Sequence, residues 1–333
     1  MTRRTAYIFL ILQVLLSACG KPVDEPQDKP GGGGLVNPLH PGGEEDEPVT
    51  LTVATCNVLK PSGRCDEMSM DNPVVYQTLA KSIIDTNADI IGFNELDETH
   101  IPGAKYSLPS ACSALNDFSW SLEWPNKLNL YIYIYATYSY ANGFAYNNTI
   151  LNLEESGYVW LSKEDDAWYV KTSSAYGNAG SPERTCLWAR FTHISTGKEF
   201  WLFVTHLPTS SQGGAENMAK VVNSFASHKA GTAPAILTGD MNSAPDTEAY
   251  NILTRYWQDG NAKATWGTLS GSSKKYYYSV DTFSNNHTDR RIDHIMTRGC
   301  TASDYHPIVV TYDVDGNPWC PSDHLPVVAT VKL

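Results

Sequence analysis

Six short stretches of this chain share one design, in which an apolar run meets a carboxylate, an amide or an imidazole. They are Val53-Ala54-Thr55-Cys56-Asn57, Ile90-Ile91-Gly92-Phe93-Asn94-Glu95, Leu202-Phe203-Val204-Thr205-His206, Ile236-Leu237-Thr238-Gly239-Asp240-Met241-Asn242, Arg291-Ile292-Asp293-His294-Ile295 and Pro321-Ser322-Asp323-His324. Short apolar runs bounded by polar residues suit strands buried within a sheet. Strands that end in polar residues gather those groups along one rim, where open α/β sheets commonly form their sites. A lone Asp at such a place usually caps a helix or a turn, and a lone His is usually a satisfied core residue. Six such endings in one chain point instead to a shared site.

The segments between them carry a helical period. Val75, Leu79, Ser82 and Ile83 share one side of a helix predicted over 74–86. Met218, Val221, Val222 and Phe225 recur at i, i+3, i+4 and i+7, a stripe read as core packing. Asp246 is placed to cap a following helix that carries Tyr250 and Leu253. Strands are predicted over 51–57, 89–95, 199–206, 233–239 and 327–331. Tyr131, Tyr133 and Tyr135 alternate with Leu130, Ile132 and Ile134, a strand with one aliphatic and one tyrosine face. Alternating strands and helices of this kind predict an α/β fold.

Three segments are expected. Residues 1–18 read as a lipoprotein signal peptide: Arg3 and Arg4 precede an apolar stretch from Ala6 to Leu16, too short to span a bilayer as a mature helix. It ends in Leu16-Ser17-Ala18-Cys19, which resembles the bacterial lipobox and makes Cys19 the expected lipidation site. Residues 19–48 read as a flexible acidic Pro/Gly linker, including Gly31-Gly32-Gly33-Gly34 and Glu44-Glu45-Asp46-Glu47. Residues 49–333 are the expected catalytic domain. The implied location is the outer membrane or cell surface, lipid-anchored, and the chain is expected to act as a monomer.

The formal net charge of −12 is not confined to the linker. An acidic domain does not advertise general affinity for polyanions, so nucleic acid is open as a substrate but not favoured by charge. Beyond Cys19 six cysteines remain, an even number compatible with disulfides in an exported protein. None forms a CxxC pair, which argues against a structural zinc site.

Taken together, the motifs resemble the endonuclease/exonuclease/phosphatase (DNase I-like) family, in an exported bacterial form, over about residues 51–333. The most specific parts are Gly239-Asp240-Met241-Asn242 and Ser322-Asp323-His324, in the family's order; Leu187-Trp188-Ala189-Arg190-Phe191 is also similar to exported bacterial members. The resemblance implies a four-layer α/β/β/α sandwich of two mixed β-sheets flanked by helices. It implies that Glu95 is the principal metal-binding glutamate, with Asn57 beside the metal and phosphate. Asp240 and Asn242 would orient or activate the nucleophile and contact phosphate. His206 would contact the phosphoryl oxygens. Asp293 and His324 would form the Asp–His pair, with Asp323 the acidic residue next to that histidine. Two departures stand out. Asn94 takes the place of the family's frequent Gln before the glutamate, and His206-Leu207-Pro208-Thr209 replaces His-Leu-Asp-His.

The chemistry fits these residue types. Phosphoester hydrolysis needs charge neutralised on the phosphoryl oxygens and a water deprotonated in line. Glu95, with Asn57 or Asp323, supplies the oxygen donors that suit Mg²⁺, with Mn²⁺ or Ca²⁺ as alternatives. His324 is the natural general base if Asp293 accepts a hydrogen bond from its other ring nitrogen. Arg184 is a candidate for a substrate phosphate, weighed equally against a surface arginine; Asp281, His287 and Asp289 lie in a polar loop that could shape the substrate. The expected activity is phosphodiesterase or phosphatase. An extracellular nuclease of the same fold and a catalytically silent binding lipoprotein are the alternatives.

Overall fold

Strand β1 (Thr50–Asn57) is buried along nearly its whole length, and its alternation explains why. Leu51 and Val53 enter one core cluster, while Ala54 and Cys56 enter another on the opposite face. The computed structural model describes residues 48–59, 69, 72–96, 128–132, 141–161, 168–169, 184–209, 212–260 and 291–333. Helix α1 (Pro73–Ile84) follows, then β2 (Ile90–Leu96), β3 (Leu128–Ile132), β4 (Ala141–Asn147), β5 (Leu151–Leu161), β6 (Trp168–Tyr169), β7 (Thr185–His193) and β8 (Glu199–Thr205). Next come α2 (Ala215–Ala230), β9 (Ala235–Asp240), α3 (Glu248–Thr254), β10 (Asp293–Arg298), β11 (Thr301–Pro307), β12 (Tyr312–Val314), β13 (Asn317–Trp319) and β14 (Val327–Lys332).

Among the described residues the strands form two six-stranded sheets, ordered β11-β14-β1-β2-β4-β3 and β10-β9-β8-β7-β5-β6, with β12-β13 as a separate hairpin. Both sheets are mixed: β1 runs parallel to β2 and β8 parallel to β9, the other pairings being antiparallel. Leu51, Val53, Phe144, Phe191, Leu202, Val204, Ile236, Ile295 and Val331 fill the space between the sheets. The outer face of the second sheet packs on α2 and α3 through Met218, Val222, Phe225 and Leu253. The outer face of the first packs on α1 through Val75, Leu79 and Ile83. The result is the expected four-layer sandwich.

The helices begin where local chemistry permits. Asn72 caps α1 by accepting a hydrogen bond from the Val74 amide, with Pro73 at the first helical position. Helix α3 corrects one expectation: the cap is Thr247, whose hydroxyl accepts from the Tyr250 amide, rather than Asp246. Of the cysteines, Cys56, Cys186, Cys300 and Cys320 are buried free thiols. The expected signal segment, linker and Cys19 lie outside the described residues. So do Cys65, Cys112, Tyr133, Tyr135, Asp281, His287 and Asp289.

Candidate functional site

The site is the polar continuation of the core between the sheets. Residues at every second position of a strand share a face. On β1 the face that carries Leu51 and Val53 ends in Asn57; on β8 that of Leu202 and Val204 leads to His206. On β9 that of Ile236 ends in Asp240, and on β10 that of Ile295 starts with Asp293. Strands β1, β2, β8 and β9 bring their C-terminal ends to this rim. Strand β10 runs antiparallel to β9 and brings its first residue, Asp293, opposite Asp240. Strand β14 is antiparallel to β1, so Ser322, Asp323 and His324 before it reach the same rim. His294, one position along, falls on the helix side, where its Nε2 lies 3.0 Å from the Ser243 carbonyl.

Glu95 breaks the alternation. By parity it belongs with Ile91 and Phe93 on the helix face. The β2–β4 register shifts between Phe93 and Leu96, and Glu95 has φ of 59°, in the left-handed region. Such a bulge re-aims a side chain. Asn57 Nδ2 approaches Glu95 Oε1 at 3.4 Å and donates to Asp240 Oδ2 at 3.1 Å, while Asn57 Oδ1 accepts from the Leu59 amide. The Asn57 amide nitrogen thus spans the two carboxylates. Asn242, also at positive φ, donates its backbone N–H to Asp240 Oδ1 at 2.8 Å. Its side-chain nitrogen donates to the Leu207 carbonyl and lies 3.0 Å from His206 Nε2. That ring nitrogen is 3.3 Å from Asp240 Oδ2.

His324 Nδ1 meets Asp293 Oδ2 at 2.7 Å, and its Nε2 faces Asp240 Oδ2 at 3.7 Å and Asp323 Oδ1 at 3.9 Å. Ser322 ties this loop to β1 by donating to the Asn57 carbonyl and accepting from the His324 amide. The electrostatics follow from burial and crowding. Burial, reinforced by Asp293 and Glu95, pushes the Asp240 carboxyl up to about 7, against the opposing pull of His324. Burial also raises Asp323, helped by Glu95 and Asp293. Burial opposes the charged form of His324, but the carboxylates of Asp293, Asp323 and Asp240 outweigh it and carry the imidazole well above its ordinary range.

All eight residues expected at the metal and the reacting phosphate therefore meet in one place. Arg184 differs. It is buried, not a surface residue, and its guanidinium donates to Gln212 Oε1, which also accepts from the Thr209 amide. It thereby braces the loop after His206. Asn142 was not among the expected residues, yet it is buried beneath the site and donates to the Thr185 carbonyl and hydroxyl. The signal that would find it is its parity with Phe144 and Tyr146 on β4.

The residues fit a divalent cation. The carboxylate oxygens Asp293 Oδ1 and Asp323 Oδ1 are buried with no hydrogen-bond partner among the described residues, which leaves donor capacity unspent. Asp240, Asp293 and His324 offer ligand atoms within 4.8 Å of one another. A set dominated by carboxylate oxygen suits a hard cation more than zinc.

Two mixed sheets face to face between helix layers, with an acid- and histidine-lined rim, define a DNase I-like sandwich. The family model for the endonuclease/exonuclease/phosphatase family matches residues 54–324, and the chain belongs to that family. The family takes its name from endonucleases, exonucleases and phosphatases, which places the chain among phosphoester hydrolases by class. No curated protein matches the chain. Among solved structures it is similar to an endonuclease/exonuclease/phosphatase family protein from Bacteroides thetaiotaomicron, 22% identical with a TM-score of 0.63, covering 86% of this chain and 99% of that one. It is also similar to the mannosyl-6-phosphatase of Bacteroides thetaiotaomicron, 22% identical with a TM-score of 0.62, covering 84% and 99%. The human Nocturnin catalytic domain with bound sulfate anion is 13% identical with a TM-score of 0.53, covering 85% and 94%. At these identities the likeness establishes the fold.

Proposed function

We propose that this chain is a Mg²⁺-dependent hydrolase of phosphoester bonds that acts outside the cytoplasm, held to a membrane by lipid on Cys19. One observation carries the reading: His324 is clamped by Asp293 at 2.7 Å and turns its other nitrogen toward Asp240 and Asp323. Glu95 and Asp323, with Asn57 beside them, are the residues to hold the cation. The cation supplies positive charge to offset the phosphoryl oxygens and the crowded carboxylates.

The remaining steps belong to the protein's own groups. Asp240 and Asn242 orient the attacking water. The carboxylates that otherwise keep His324 protonated are offset by a cation beside Asp323 and Asp240, so that its Nε2 takes the water's proton while Asp293 stabilises the resulting imidazolium through Nδ1. The water oxygen bonds to phosphorus as the bond to the leaving oxygen breaks; that oxygen takes a proton from solvent, and the imidazolium gives its own proton back to solvent, which restores the base. His206 and Asn242 contact the phosphoryl oxygens. Arg184, fixed by Gln212, sets the loop that walls the substrate and is the candidate for a second anionic group.

The test is a substrate panel on the full chain: bis-p-nitrophenyl phosphate, mannose 6-phosphate, inositol phosphates, sphingomyelin and plasmid DNA, each with Mg²⁺ and with EDTA. Mannose 6-phosphate is included because a protein of this fold is a mannosyl-6-phosphatase. Turnover that requires Mg²⁺ is expected, and Glu95→Gln should weaken Mg²⁺ binding measured by calorimetry. Turnover that survives EDTA, or unchanged metal affinity in Glu95→Gln, would defeat the assignment.

A further inference from the structure

Beneath the carboxylates runs a chain of buried amides that joins the two sheets. Asn142 on β4 spends its Nδ2 hydrogens on the Thr185 carbonyl at 2.9 Å and the Thr185 hydroxyl at 3.1 Å, both on β7. Its Oδ1 accepts from Asn94 Nδ2 on β2 at 2.7 Å. Asn94 Nδ2 also donates to the Thr205 carbonyl on β8 at 3.1 Å, and Asn94 Oδ1 accepts from the Asp240 amide on β9 at 2.7 Å. Thr205 closes the loop by donating its hydroxyl to the Thr185 carbonyl at 2.9 Å. Asn94 and Asn142 are both at most 1% exposed.

A carboxamide has two donors on one arm and an acceptor on the other, and the arms are almost the same shape. Orientation is decided by what each arm meets. If the Asn94 amide rotated by half a turn, its NH₂ would meet the Asp240 N–H and its oxygen would meet the Thr205 carbonyl, which repels on both sides. Asn142 Oδ1 adds a third partner that favours the same orientation and holds the amide plane in place. That oxygen is itself fixed, because Asn142 Nδ2 is committed to Thr185. The Thr185 carbonyl on β7, the Thr205 carbonyl on β8 and the Asp240 amide on β9 thus all select one polarity for the two linked amides. Glu95 is the residue after Asn94, so the same amide holds the backbone of Asp240 directly and that of Glu95 by one peptide unit.

We propose that Asn142 is a positioning residue for the cation site: it braces the Asn94 amide and thereby the placement of Glu95, the next residue in the chain, against the Asp240 backbone. The inference rests on the cation reading of the site. Groups that orient metal ligands without touching the metal typically change affinity by about 10–100-fold when removed, and buried polar networks of this kind are sensitive to the loss of one member.

The experiment is calorimetric titration of Mn²⁺ and Mg²⁺ into the full chain, without substrate, well below the melting temperature. Asn142→Ala is expected to weaken cation binding by about 10-fold or more. Phe225→Leu, in the core against α2, serves as a destabilised control and should bind cation like the wild type. Should Asn142→Ala not fold, Thr185→Val removes only the hydroxyl acceptor and is expected to weaken binding by a smaller factor. Cation affinity unchanged in Asn142→Ala, or in Thr185→Val where only that variant folds, overturns the inference while leaving the function intact. So does equal weakening in Phe225→Leu. A wild-type chain that binds neither cation overturns the reading of the site and this inference with it.

Discussion

His294 and Asp293 are adjacent in sequence, yet they do unrelated work because a strand turns successive side chains to opposite faces. Asp293 holds His324 at the rim. His294 is buried on the helix side, with its Nδ1 3.4 Å from Asp259. The histidine that matters for chemistry is thus His324, whose Nε2 faces the carboxylates of Asp240 and Asp323. His324→Ala should lower kcat by about 10²–10⁴-fold, the range typical of general base catalysis. Folding should be little affected, because the residue sits at the rim in a loop before β14. Steady-state kinetics with the best substrate, beside a thermal melt, checks both halves; near-wild-type kcat would remove His324 from its role. Most of the rim was legible in the sequence because Asp, Glu, His and Asn at the ends of apolar runs are conspicuous. Asn142 was not, since nothing in the residue order marks it and only its place within β4 puts it inside a strand. Arg184 was half legible: its type suggested phosphate, but nothing in the residue order announced Gln212 as its partner.

The elements with continuous apolar runs matched their predicted bounds to within one or two residues, since burial on both faces leaves little freedom in where such a strand stops. Direction was the harder property. The segment 291–295 looks like a strand ending in polar residues, whereas β10 begins at Asp293 and runs the other way. A polar boundary marks the rim and is silent about which end of the strand meets it. Helix starts were ambiguous for a related reason, because neighbouring Asp and Thr are both good caps. At α3 the choice falls on Thr247, which has the extended backbone of a cap and whose hydroxyl reaches the Tyr250 amide, while Asp246 stays exposed. Thr247→Ala should therefore cost about 0.5–2 kcal/mol. Asp246→Ala should stay within about 0.5 kcal/mol, as surface changes usually do. Denaturant unfolding of the two variants decides the matter, and a larger loss from Asp246→Ala would move the cap back to that residue.

The site exists only while two sheets stay in contact, because Asn57 and Glu95 come from one and His206, Asp240 and Asp293 from the other. No local pattern in the sequence could reveal that arrangement. The order of strands in each sheet depends on pairings between residues far apart in the chain, and alternation is the same whichever neighbour a strand takes. The clearest trace of the packing is Gly92 on β2. A Cβ added there would sit 2.1 Å from the Thr238 hydroxyl and 3.3 Å from Val204 Cγ1, both on the opposite sheet. Thr238 is fully buried and its hydroxyl has no hydrogen-bond partner among the described residues, so the contact is one of shape rather than of bonding. Gly92→Ala should destabilise the protein by about 1–3 kcal/mol, the usual cost of overfilling a packed core. It should also lower activity, since Glu95 lies three residues on. Thr238→Ala removes the atom in the way, so the pair should be less damaging together than the sum of the singles. A coupling of about 0.5–3 kcal/mol is expected for residues in contact. Unfolding free energies for the four members of the cycle test this directly. Strict additivity would mean that the sheets part easily at Gly92, and that the close approach of the two layers is not what holds the rim together.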